Sequence, residues 1–152
     1  MTPRTQPRQS RRARGQALVE AGLLLPLFLL MMLGVVEMGR LAYAGVVVES
    51  AAHAGALYGA RNNAVASDSA GMQSAALADG HDLGSLTATA THVCTCADGG
   101  SAPDCSLGDC PGSRLLEYVQ VNTTATYTPL CAYPGLPGPL TLHGQAVLKV
   151  EQ

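Results

Sequence analysis

A single segment limits what this chain can fold into. From Ala17 to Val36 it reads ALVEAGLLLPLFLLMMLGVV, twenty residues with one charge, Glu20. As a helix rising about 1.5 Å per residue, that run covers about 30 Å, the thickness of a bilayer's hydrocarbon core. A helix apolar on every face can also lie inside a soluble protein, but only within a large surrounding core. The chain has 152 residues, 47% of them apolar and only 4% aromatic, so the remainder cannot supply that core. A membrane anchor is the expected fate of this run.

The flanks set its direction. Arg4, Arg8, Arg11, Arg12 and Arg14 precede the run with no acidic residue among them, and Arg40 alone follows closely. Basic residues stay on the cytoplasmic side, which predicts a cytoplasmic N-terminus and an extracytoplasmic remainder. A secretory signal peptide shares the basic tip, but its apolar core is shorter and ends in a small-residue cleavage site. Here the helical pattern continues through Glu37, Met38, Gly39, Arg40 and Leu41 to Arg61, and no proline or turn cluster interrupts residues 27–61. The expectation is a single-pass protein of the inner (cytoplasmic) membrane, its anchor prolonged into one long helix. Charged residues make up 13% of the chain, about half the usual share, and beyond Arg14 four basic residues face eleven acidic ones. That balance speaks against a nucleic-acid partner.

Glu20 is the anomaly within the anchor. An ionised carboxylate in hydrocarbon is expensive and is usually paired and functional. Gly15 lies where the basic tip meets the apolar run, and Arg14-Gly15-Gln16-Ala17-Leu18-Val19-Glu20 has the G-x-x-x-x-E form of a type IV prepilin processing site. Cleavage between Gly15 and Gln16 removes the basic tip and leaves a new amine on Gln16. That cation is a natural partner for Glu20 of a neighbouring helix. The plainer alternative is a Glu20 that snorkels at the helix end.

At this point the chain resembles the TadE-like family of tight-adherence (Tad/Flp) pilus systems. The features that carry the resemblance are Arg14–Glu20, Leu25-Pro26, Glu37-Met38-Gly39-Arg40 and Ala51-Ala52-His53-Ala54-Gly55-Ala56. It is close across residues 14–61 and returns weakly at Tyr118–Tyr127 and Leu140–Glu151. The resemblance implies a minor pilin or pseudopilin, handled by a prepilin peptidase. Its expected partners are the membrane, other pilin-like subunits and the Tad assembly machinery. It implies no cofactor, no metal, no nucleic acid and no small-molecule substrate. A reading from a different class remains: an uncleaved single-pass membrane protein carrying an extracytoplasmic binding module.

Pro26 cannot donate a hydrogen bond to the carbonyl of Gly22, so a kink or local loosening is expected there. Further along, Ala51, Gly55 and Gly59 form one row at helical spacing, and Ala52, Ala56 and Ala60 form another. Such rows let helices approach closely, either the protein's own distal domain or other subunits. Glu37 with Arg40, and Glu49 with His53, stand one helical turn apart as solvated pairs.

After Arg61 the composition turns to Asn, Ser, Asp and Ala. Ser67 or Asp68 caps a short helix through Ala78, and Gly80 stops it. Leu86–Cys94, Tyr118–Thr128 and Leu140–Val150 alternate with period two and read as strands. In the last of these Leu140, Leu142, Ala146, Leu148 and Val150 share a face. The fold class is α+β: a pilin-like long N-terminal helix packed on a small antiparallel sheet of about three strands. The expected layout is a basic cytoplasmic leader at 1–15, a transmembrane anchor at 16–36, a helical continuation at 37–61 and a small extracytoplasmic domain at 62–152.

Four of the five cysteines, Cys94, Cys96, Cys105 and Cys110, cluster in a loop at 94–110. Outside the cytoplasm disulfides persist, and two bridges would stabilise a thin-cored domain by roughly 2–4 kcal/mol each. The pairing cannot be read from spacing. A zinc site made of all four cysteines is the alternative, but C-x-C and C-x4-C are not the C-x2-C pairs of zinc ribbons and fingers. Cys131 is left over, free or joined to another chain. The four histidines, His53, His81, His92 and His143, are scattered outside any catalytic motif, and His92 beside Cys94 is the one Cys–His neighbourhood. The chain is therefore read as a non-enzyme.

Overall fold

The computed structural model describes residues 10–102, 104–105, 110–130 and 138–151, without the side chains of 10–14 and 101–102. Helix α1 spans Ser10–Ala60, and the chain divides into two compact units, residues 1–39 and 40–152. In the first unit Leu, Met and Ala are strong helix formers that hold the run helical. Pro26 lies inside α1 and does not end it. All the large apolar side chains from Leu18 to Val36 are exposed. Among the described residues one helix, within Gly15–Gly59, is long and apolar enough to cross a membrane.

The second unit begins with the distal turns of α1 and continues as α+β. Helix α2, Asn63–Ala66, starts on the Asn62 side chain, which accepts from the amides of Ala64 and Val65 at 3.0 and 3.1 Å. The sequence reading did not separate this turn from a loop. Helix α3 spans Ser69–Asp79 and begins and ends where its capping residues demand. Asp68 accepts from the Gly71 amide at 2.9 Å, and the Gly80 amide closes on the Ala76 carbonyl.

Strands β1 (Thr87–Cys96), β2 (Ser101–Ala102), β3 (Leu115–Tyr127) and β4 (Leu140–Lys149) form one antiparallel sheet in the order β2-β1-β3-β4. The three long strands are those expected from alternation. The addition, β2, comes from the Asp98-Gly99-Gly100 turn. Gly99 takes φ +87°, a conformation that costs a residue without a side chain little, and the Cys96 amide bonds the Gly100 carbonyl at 2.9 Å. The chain thereby doubles back on the end of β1.

The sheet buries one face against the helices. On β3 that face is Leu115, Glu117, Val119, Val121, Thr123, Ala125 and Tyr127. On β4 Gly144 and Ala146 are buried, as is Val150 just beyond its end, while Thr141, His143, Gln145, Val147 and Lys149 are exposed. The alternation anticipated these faces because one face of each strand must leave water.

The small-residue rows are consumed by this packing. Ala51, Ala52 and Ala56 are fully buried. A Cβ on Gly55 would lie 2.7 Å from the Met72 carbonyl oxygen of α3, and one on Gly59 would run into Met72 and Val119. Of the two partners open to those rows, the protein's own domain takes them. The thin Ala-rich core is offset by how closely backbones approach, since packing density sets how much attraction each buried atom gathers. At the end of α1 the Ala60 carbonyl accepts from the Glu151 amide at 2.9 Å, and the Val150 amide donates to the Glu117 carbonyl at 2.9 Å.

Candidate functional site

Two places carry the residues singled out from sequence. The first is the start of α1. Gly15, Gln16 and Glu20 lie on it and are exposed. A Cβ built on Gly15 meets nothing within 4 Å, in contrast to Gly55 and Gly59. Among the described residues, packing therefore places no demand for glycine at position 15. The peptide between Gly15 and Gln16 is part of the helix, so any chemistry at that bond requires the turn to open first.

The second place is the far end of β1. The four clustered cysteines pair as Cys94–Cys105 and Cys96–Cys110, with Cα separations of 5.4 and 5.5 Å. The bridges cross in sequence rather than nest. Both start from β1, where residues two apart share a face. With Leu115 they form a small cluster of their own, Cys94 and Cys96 being 5% and 6% exposed. This cluster covers the sheet face that the main core, ending at Val119, leaves open. Cys131 lies outside the described residues.

Sequence reasoning did not find the His92–Glu117 contact beside the bridges. His92 Nε2 lies 3.1 Å from Glu117 Oε2, with the two side chains 19% and 11% exposed. The same Nε2 is 3.7 Å from Cys94 Sγ and 3.8 Å from Cys105 Sγ. Alternation puts His92 and Cys94 on one face of β1, and the strand register sets Cys94 opposite Glu117. The H-x-C string was visible in the sequence. Glu117 was not, because its place depends on a cross-strand register that spacing alone does not give.

Electrostatics elsewhere in this unit are local. Tyr58 donates to Asp68 Oδ2 at 3.0 Å and Tyr43 to Asp82 Oδ2 at 3.1 Å. In each case the hydrogen bond to the carboxylate, reinforced by its negative charge, raises the phenol above its ordinary value of 10.0. Asp68 thus caps α3 with one oxygen and holds Tyr58 with the other. Arg40 sits over the Tyr127 ring, 5.6 Å from its centroid.

The model of the TadE-like protein family matches residues 15–57. That segment is TadE-like, and it lies within the stretch from which the resemblance was read. No curated protein and no solved structure matches the chain.

Proposed function

We propose, from the TadE-like segment at residues 15–57, that the chain is a minor pseudopilin of a Tad-type pilus or secretion apparatus, structural rather than enzymatic. The observation that carries this reading is the coincidence of that match with an apolar helical run whose large side chains are all exposed. Such a surface needs lipid or other apolar helices around it. The role of residues 1–15 is that of a basic cytoplasmic leader, 16–36 that of the anchor and 37–61 that of its extracytoplasmic continuation. Residues 62–152 complete the exported domain.

Gly15 and Gln16 flank the bond a prepilin peptidase cuts. The open space around Gly15 supports this, since whatever requires glycine there acts from outside the chain. After the cut, the Gln16 amine meets Glu20 of a neighbouring pilin-like subunit. The disulfides stiffen the exported domain for life outside the cytoplasm.

The deciding experiment is intact-mass and N-terminal sequencing of the protein extracted from membranes of its native host. A mature terminus at Gln16 is the expected result. An intact Met1 terminus in cells with an active peptidase would move the reading to an uncleaved membrane protein with a binding module.

A further inference from the structure

We infer that the end of β1 holds a second, redox-gated ligand set: when the Cys94–Cys105 bridge is opened, His92, Cys94 and Cys105 bind a thiophilic divalent cation of the zinc class, with Glu117 completing the shell. The donor atoms of His92, Cys94 and Cys105 already lie within 4.8 Å of one another. They converge because of the fold. His92 and Cys94 share a face of β1, Cys105 is brought in by the loop, and Glu117 stands opposite Cys94 across the ladder. Two sulfurs, one imidazole nitrogen and one carboxylate are a tetrahedral zinc donor set. The site is also sheltered, with His92 and Glu117 mostly buried.

Cys96–Cys110 ties the same loop to the same strand independently, so opening Cys94–Cys105 leaves the loop attached. The chemistry balances with a dithiol as the reductant. It gives two electrons and two protons to the Cys94–Cys105 bond and ends as a disulfide itself. The cation then displaces both thiol protons to solvent and binds the two thiolates. In the bridged state Nε2 carries the proton that lies between it and Glu117 Oε2. On binding, that proton is lost to solvent while Nδ1 takes one up, which frees the Nε2 lone pair for the cation.

The test uses the full chain in detergent micelles with Co2+ as the probe, before and after treatment with a phosphine reductant, and with far-ultraviolet circular dichroism recorded throughout. The bridged protein should show no thiolate-to-cobalt charge-transfer band. The reduced protein should show one, with tetrahedral visible bands, a stoichiometry of one per chain and displacement by Zn2+. His92→Ala should weaken binding by about tenfold or more, and Glu117→Gln should weaken it less. The double variant Cys96→Ser/Cys110→Ser should keep the band, because it retains the proposed ligands. Three results would overturn the inference: no band after reduction, loss of the sheet signal on reduction with or without metal, or a band that survives His92→Ala and vanishes in the double variant. The last would identify a four-cysteine centre instead.

Discussion

The Thr123 hydroxyl donates to the main-chain carbonyl of Val48 across 2.7 Å, in a fully buried setting. A strand residue thus binds the backbone of a helix interior, an approach that ordinary side chains would prevent. Gly144 on β4 makes it possible, since a Cβ there would stand 2.6 Å from the Val48 oxygen and 2.7 Å from Thr123 Oγ1. The helix and sheet meet backbone to backbone at this point.

Gly144→Ala should therefore force the helix from the sheet and destabilise the second unit by about 1–3 kcal/mol. Thr123→Val keeps the volume and removes the hydroxyl, which should cost about 1 kcal/mol. Denaturant titration of the full chain, followed by far-ultraviolet circular dichroism, measures both. An unchanged midpoint for Gly144→Ala would contradict the close approach.

Non-reducing digestion should release a cluster in which the peptide holding Cys94 and Cys96 is joined to both Cys105 and Cys110, and partial reduction with stepwise alkylation should resolve it into Cys94–Cys105 and Cys96–Cys110. Replacing Cys96 and Cys110 by serine should lower stability by roughly 2–4 kcal/mol, the range for short closed loops. Mass spectrometry of the peptides settles the pairing, and a nested pattern would exclude the crossed one.

Alkaline titration tests the Asp68 carboxylate. Tyr58 holds its proton more tightly in the folded protein than in the unfolded chain, because its protonated form donates to Asp68. Its contribution to stability is thus complete below pH 10.0 and is lost as pH rises through the higher folded value. Asp68→Asn should lower the pH at which the Tyr58 phenolate absorbance develops. Asp68→Ala should also remove the cap of α3, at about 1 kcal/mol.

Processing is checked in cells. A bulky residue in Gly15→Leu should block release of the basic tip while leaving the second unit folded, because a Cβ at position 15 meets nothing within 4 Å among the described residues. Glu20→Ala should spare cleavage yet weaken co-isolation with other pilin-like subunits, since it strands the Gln16 amine of a neighbour. Normal co-isolation would leave Glu20 as a snorkelling end residue.

Much of this architecture was legible from local chemistry. Asp68 and Gly80 delimit α3 because capping is a short-range demand. The alternation in Leu140–Val150 announced its buried face for the same reason. What stayed hidden depends on contacts distant in sequence. The pairing of four cysteines is a choice made by the loop's path, and the meeting of His92 with Glu117 is fixed by register. Thr123 looked like any strand threonine, since nothing near it in sequence shows that a helix carbonyl waits opposite.

The carbonyl of Ala60 that accepts from Glu151 has a consequence in time. During synthesis α1 emerges first, yet its last turn is tied off by a residue made at the far end of the chain. Until α3 and β3 follow it, the alanine rows at Ala52 and Ala56 lack the Met72 and Val121 side chains of their core and stand open to other apolar surfaces. A holding partner acting at the membrane during that interval would shield the nascent helix face.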